Sequence, residues 1–253
     1  MRPQPDIITL RQFYSSPLGR LVKGRLRANV LKHVQHAKGE VMVGLGYSMP
    51  LLRAVEEAPN PPRTLLAMMP ATMGAMYWPV HGDNRGALVD DTDLPLHANT
   101  VHWLVVLHAL EFSEDPARLL AEAWRVLVPG GRMLLFVPHK SRFWRWWGDS
   151  PFRSGLGYRK GELLAQLRHA DFTIADYSRA LVAPPLTHPL MLRVWRGLEW
   201  LGSTLLPGLG SVHCVEVEKQ IYAAIRQPVH VAKRKLSVAN IPVTAAPSSR
   251  TKS

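Results

Sequence analysis

Apolar residues recur along this chain with two different periods, and the alternation between them predicts its elements. Over residues 8–34, Leu10, Phe13, Leu18, Leu21, Leu26, Val30 and Leu31 lie loosely at helical spacing. That stretch predicts a helix, which Pro17 breaks or restarts. Short apolar runs at 40–44, 64–68 and 87–90 predict three strands, with a helix over 49–57 and a loop at 59–62 between the first two. Residues 70–84, with Pro, Gly and Trp78, read as irregular. Farther on, 160–169 predicts a helix, 172–181 a strand, 183–206 an apolar and partly helical insertion, and 212–223 a final strand.

The most informative segment is 94–138. Its apolar run Trp103 to Leu107 predicts a buried strand, and His108 to Phe112 are compatible with a helix. Glu114-Asp115-Pro116 opens a further helix over 117–127, because Asp caps well and Pro suits the first turn. Pro129-Gly130-Gly131 stops that helix, and Met133 to Val137 predict the next strand. Two buried strands joined through a helix should lie parallel. Strands alternate with helices through most of the chain, so the expectation is an α/β fold, a parallel sheet covered on both faces. Ligands bind such sheets at the carboxyl ends of the strands, where the chain order reverses.

Length and composition narrow the picture. The 253 residues, 47% of them apolar, can bury one α/β core with small additions. The single cysteine, Cys214, excludes an intrachain disulfide and a multi-cysteine metal site, and it fits a reducing cytoplasm. The histidines show no metal-ligand spacing. The first residues lack a signal-peptide core, and no apolar run approaches the ~18–20 residues of a membrane span. The expected location is cytoplasmic.

The formal charge of +12 belongs to the ends. Residues 7–38 hold seven Lys/Arg and 229–253 hold five, with no acid in either stretch; the other 19 basic residues match the 19 acids. The expected organisation is a basic helical segment at 1–39, a catalytic-looking domain at 40–228 with its insertion at 183–206, and a basic disordered tail at 229–253. Such ends suit solvated surface, or contact with RNA or anionic lipid.

The string running through Leu94-Pro95-Leu96, His108-Ala109-Leu110-Glu111-Phe112, Asp115-Pro116 and Arg125-Val126-Leu127-Val128-Pro129-Gly130-Gly131 resembles one family. It is similar to class I S-adenosylmethionine-dependent methyltransferases of the type-11 kind. Their recurring text is LPF, a buried strand, HxLEH, DP, a helix and RVLxPGGxL. The resemblance implies a Rossmann-like, seven-stranded, mostly parallel sheet with its last strand inserted antiparallel. It also implies S-adenosyl-L-methionine as cofactor and an unidentified methyl acceptor as partner.

Carried over residue by residue, the resemblance places Gly44, Leu45, Gly46, Tyr47 and Ser48 in the loop beneath the methionine part of the cofactor. Glycines there let backbone approach a ligand and turn tightly into a helix. A nicotinamide fingerprint would want a third glycine where Met49 stands. Asp90 takes the position that accepts from the adenine amino group, with Asp91 beside it. Leu107 and His108 take positions lining the methionine end. The chain departs from the family pattern where Met42 replaces an acid and where the second strand ends Met68-Met69-Pro70 without the ribose-binding carboxylate. Met69 would then pack on the adenine or ribose. His102 replaces the acid at the start of the fourth strand, and Phe112 the second histidine.

Methyl transfer is an in-line displacement that needs alignment at about 3–3.5 Å and a base only if the acceptor must lose a proton. His108, His139 and Tyr158 are the candidate bases. Acceptor specificity is expected in the N-terminal helix, in loop 140–158 and in the insertion. That loop carries Phe143-Trp144-Arg145-Trp146-Trp147, which suits base stacking, a lipid interface or a lid on the sheet edge. The eroded positions leave a second reading open, a catalytically inactive methyltransferase-like binding or scaffold module.

Overall fold

Seven strands form one sheet in the order β3-β2-β1-β4-β5-β7-β6. They are β1 (Val41–Gly46), β2 (Thr64–Pro70), β3 (Gly86–Val89), β4 (Val101–Leu107), β5 (Leu127–Pro138), β6 (Phe172–Ala180) and β7 (Val212–Lys219). The helices are α1 (Ile7–Ser15), α2 (Pro17–His33), α3 (Met49–Glu56), α4 (Pro116–Val126), α5 (Pro151–Ser154) and α6 (Lys160–His169). The computed structural model describes residues 4–34, 37, 40–140, 151–180 and 212–221. The Trp-rich stretch 143–147, the insertion 183–206 and the tail 229–253 lie outside the described residues.

β1 to β5 pair in parallel. β7 runs antiparallel between β5 and β6, as the resemblance implied. Side chains of successive strand residues point to opposite faces, and each face has its own core. Met42, Trp103, Val105 and Leu107 pack on one side with α1, α2 and α3 residues. Val43, Leu45, Leu104 and Val106 pack on the other with α4 and α6 residues. The fold is that of a class I methyltransferase.

Pro17 restarts the helix as expected. Ser16 ends α1 with extended backbone, and its hydroxyl caps α2 by accepting from Gly19 N. Although basic, α2 buries Val22, Leu26 and Val30, a helical stripe that joins the core of the first face. Its Arg20, Arg25 and Lys32 are exposed. The N-terminal segment thus packs with the domain through its apolar face and keeps charge in solvent.

Three expectations are corrected. Residues 108–112 form turns rather than helix: His108 takes the left-handed conformation, φ 55°, and Phe112 and Ser113 both donate to Ala109 O. Pro129-Gly130-Gly131 do not separate helix from strand. β5 begins at Leu127 beside Val101, and the next pair is Trp103 with Arg132. The extra residues are absorbed as an irregularity, with Gly130 at φ 77°. The last strand ends at Lys219 rather than at Ala223.

The matched motif residues meet in space for a physical reason. Arg125 of α4 donates to Leu94 O at 3.0 Å and to Leu96 O at 2.8 Å, and is held by Glu122. Glu122 in turn accepts from Leu94 N at 2.9 Å. The Leu94-Pro95-Leu96 corner is thereby fixed to the helix that follows β4.

Candidate functional site

Strand order reverses between β1 and β4, which pair Gly46 with Leu107 at their carboxyl ends. This is the switch point where open α/β sheets bind ligands. Tyr47 N donates to Leu107 O at 2.8 Å, closing the strand ends onto each other. Gly46 sits at φ 82°, and a Cβ there would lie 2.1 Å from Leu107 O. Its glycine requirement therefore comes from the turn against β4. A Cβ on Gly44 would meet Ser48 Oγ at 2.1 Å. The room that Gly44 leaves is filled by Ser48, whose hydroxyl is buried. Gly44, Leu45, Gly46, Tyr47 and Ser48 are all buried.

Above this loop lies α1. Asp6 caps it by accepting from Thr9 N, and Ile7 N donates to Met73 O at 2.9 Å. This anchorage sets Tyr14 over the strand ends, with its ring stacked on Tyr47 at 5.3 Å and 19°. The Tyr14 hydroxyl meets His108 Nε2 at 2.8 Å, and His108 Nδ1 meets Glu111 Oε1 at 3.0 Å. Burial raises the Tyr14 phenol well above its usual range, with Glu111 and Tyr47 adding to the effect. The phenol therefore keeps its proton and meets the ring as a hydroxyl. On its other side the ring is held through Nδ1, with Glu111 Oε1 as the acceptor. The other carboxylate oxygen, Oε2, is buried without a hydrogen-bond partner. Phe152 covers the imidazole at 4.6 Å between ring centroids.

A cavity of about 1000 Å³ opens beside this chain of groups. Its walls are the end of β2 and its sequel (Pro70, Ala71, Thr72), the end of β3 (Val89, Asp90, Asp91, Thr92) and the β4–α4 connection from Glu111 to Asp115. Gln4, Arg118 and Leu156 complete it. Among the described residues five carboxylates and one guanidinium line it, although the whole chain carries +12. Asp90 is exposed, and its Oδ1 accepts from Thr92 N at 2.8 Å and Thr92 Oγ1 at 2.7 Å. Those bonds hold its carboxyl below the ordinary range. Burial pushes the half-buried Asp91 upward.

Of the residues singled out in the sequence, Asp90 and Asp91 share this cavity. Gly44 to Ser48, Leu107 and His108 are buried at the neighbouring strand ends. Met69 points into the core of the first face, where its sulfur accepts from Met76 N at 3.5 Å; its successors Pro70 to Thr72 face the cavity. His102 Nδ1 accepts from Val41 N at 3.3 Å. Glu111 was missed as a site residue. Its signal was the spacing of three from His108, which brings the two side chains together across a turn.

His139 and Tyr158 lie together beyond the end of β5. They form a parallel bridge, and Tyr158 O accepts from Lys140 N at 2.8 Å. The Tyr158 hydroxyl is raised by burial, and it is 3.5 Å from Leu110 O. His213 of β7 donates from Nε2 to Tyr158 O at 2.9 Å and accepts at Nδ1 from the Tyr177 hydroxyl at 2.9 Å. Burial, foremost, lowers His213 to about 4. His139 is lowered by burial and by Arg179. Among the described residues no group of three or more His, Cys, Asp or Glu is placed to hold a metal ion, and no helix is long and apolar enough to cross a membrane.

Residues 79–135 match the methyltransferase domain family. That segment contains most of the cavity wall, from Val89 to Arg118. A search of curated proteins found no match. Many solved structures share the fold. One is from the complex between a Haloferax volcanii putative methyltransferase and a methyltransferase activator, at 16% identity, TM-score 0.59, covering 84% of this chain and 98% of that one. An S-adenosylmethionine-dependent methyltransferase of Mesorhizobium loti aligns at 14% identity, TM-score 0.54, over 76% of this chain and 96% of that one. A Burkholderia thailandensis 1,6-didemethyltoxoflavin-N1-methyltransferase, with its substrate and S-adenosylhomocysteine bound, aligns at 15% identity, TM-score 0.54, over 85% of each chain.

Proposed function

We propose, from the premise that this chain carries a methyltransferase domain on a class I methyltransferase fold, that it binds S-adenosyl-L-methionine and transfers its methyl group to an acceptor. The observation that carries this reading is that the matched segment 79–135 supplies most of the wall of the cavity at the strand ends. A second support is chemical fit. Besides one carboxylate, for which Arg118 is a cation on the wall, the cofactor presents an adenine amino group, ribose hydroxyls, an ammonium and a sulfonium, which are donors or cations. The cavity presents the acceptors Asp90, Asp91 and Glu111 in the correct sense for them.

Asp90 is bonded to Thr92 through one oxygen, so its other oxygen is the acceptor for the adenine amino group. Pro70 to Thr72 offer the ribose side a wall without a carboxylate. The cofactor supplies an electrophilic methyl group on a positively charged sulfur. The protein's part is to align the acceptor in line with that bond and to exclude water. Gly44 to Ser48, Met69, Leu107 and His108 act on this reading as the packed support behind the cavity. His108, with both nitrogens engaged, orients Glu111. Tyr158 and His139 stand together at the β5 end and remain the candidate bases of this reading. The family match favours an enzyme over a non-catalytic scaffold.

Calorimetry with S-adenosylhomocysteine tests the proposal directly. Binding stabilises the folded state by mass action, so a thermal shift should accompany the heat. No heat and no shift at millimolar ligand would remove this function.

A further inference from the structure

We propose that Glu111, aimed by the Tyr14–His108 pair, is the seat for a cationic centre of the S-adenosyl ligand; this rests on the function proposed above. Glu111 is 4% exposed, lines the cavity, and has Oε2 buried without a partner. Its Oε1 is satisfied by His108 Nδ1 at 3.0 Å. His108 is itself engaged on its far side by the Tyr14 hydroxyl at 2.8 Å, so the ring that holds Oε1 is fixed in place. A carboxylate with one oxygen tied and the other unpaired is costly when buried. That cost is offset only when positive charge enters beside it.

The surroundings point the same way. Among the described residues Arg118 is the one guanidinium on the cavity wall, and its attraction is felt at Asp90 and Glu122. The other carboxylates there, Asp90, Asp91, Glu114 and Asp115, add negative potential in a chain that is strongly basic elsewhere. Low-dielectric walls focus such a field. The ends of β1 and β2, Gly46 and Pro70, contribute no acid. The buried acid that can face a cation is thus delivered by the β4–α4 connection. Its aim depends on a helix 94 residues earlier in the chain.

Two centres of the ligand carry positive charge, the sulfonium and the ammonium, and three ligands separate them. S-adenosylmethionine has both, S-adenosylhomocysteine has only the ammonium, and methylthioadenosine has neither. The full-chain protein and its Glu111→Gln variant are titrated with each by calorimetry, with folding checked by circular dichroism. S-adenosylmethionine affinity is expected to fall about 10- to 100-fold, the loss of a charged contact, while methylthioadenosine affinity stays within about twofold. If S-adenosylhomocysteine is unaffected, the seat takes the sulfonium; if it falls as S-adenosylmethionine does, the seat takes the ammonium. Equal losses for all three ligands, or no loss for S-adenosylmethionine, overturn the inference while leaving the cofactor reading standing. Failure of the wild-type protein to bind any of the three overturns both. Should Glu111→Gln not fold, Glu111→Asp draws the charge back by one methylene. It should lower S-adenosylmethionine affinity at least about threefold with methylthioadenosine unchanged, and equal change for the two ligands overturns the inference.

Discussion

The hydroxyl of Tyr14 and Nε2 of His108 meet at 2.8 Å between buried side chains 94 residues apart. This bond ties α1 to the turn after β4 and fixes the ring that faces Glu111. His108 also has left-handed backbone, φ 55°, a conformation that costs energy outside glycine and persists when surrounding contacts over-determine it.

Tyr14→Phe keeps the ring stacked on Tyr47 and removes only the hydroxyl. A buried Nε2 left without its partner should cost about 1–3 kcal/mol of stability. Urea unfolding measures it directly. A midpoint equal to wild type would mean that the bond contributes nothing.

Gly46→Val should destabilise the fold itself, before any effect on a ligand. The residue is at φ 82°, and its new Cβ would overlap Leu107 O. Left-handed strain and overpacking together suggest about 2–5 kcal/mol. Circular dichroism melts and soluble yield report this; a variant as stable as wild type contradicts the described turn.

Asp90→Ala should weaken S-adenosylhomocysteine binding while leaving the melting temperature close to wild type, because the side chain is exposed. Asp90→Asn keeps an oxygen for the Thr92 bonds but turns an amide NH2, a donor, towards the adenine amino group, so it should bind no better than the alanine variant. Unchanged affinity in both would return Asp90 to a turn-stabilising role alone.

Stability should depend on pH through His213. Its folded value lies near 4, below the ordinary 6.5, because burial favours the neutral ring. At pH above about 6.5 the ring is neutral in both states, and its full contribution is present. As pH falls towards 4 the unfolded chain takes up a proton that the folded chain refuses, so stability declines across that window. Below about 4 both states are protonated and this contribution levels off. His213→Gln should flatten the pH 4–6.5 portion of a stability profile; a slope equal to wild type assigns the dependence to other groups.

Removal of residues 229–253 should weaken binding to RNA or anionic vesicles at low salt, since five Lys/Arg and no acid go with it. The remaining affinity should fall steeply as salt is added. Identical binding with and without the tail places any polyanion contact elsewhere, with the basic residues of α1 and α2 as the next candidates.

The elements of this fold were legible because each depends on local chemistry. Pro17 restarts a helix by its fixed φ, Asp115-Pro116 start one by capping, and runs such as Trp103 to Leu107 are buried on both faces of a parallel sheet. Misjudged elements were those where tertiary pairing overrides local preference. His108 to Phe112 have helical composition, yet His108 is held left-handed by partners on α1 and in its own turn. Pro129-Gly130-Gly131 look like a break, yet β4 accepts them as an irregularity in register.

By itself the sequence determined the α/β alternation, the motif string from Leu94 to Gly131, and a charge excess confined to the ends, because these are matters of period, order and composition. Only the tertiary structure decided what Gly44 and Gly46 make room for, namely Ser48 Oγ and Leu107 O rather than open space. It alone joined Arg125 to the Leu94-Pro95-Leu96 corner and Tyr14 to His108. It alone left Glu111 with one bonded and one unpaired oxygen beside a cavity. The reason is physical: a carboxylate's partners and solvation are set by groups that approach from distant parts of the chain, and spacing along the sequence records only the neighbours within a turn.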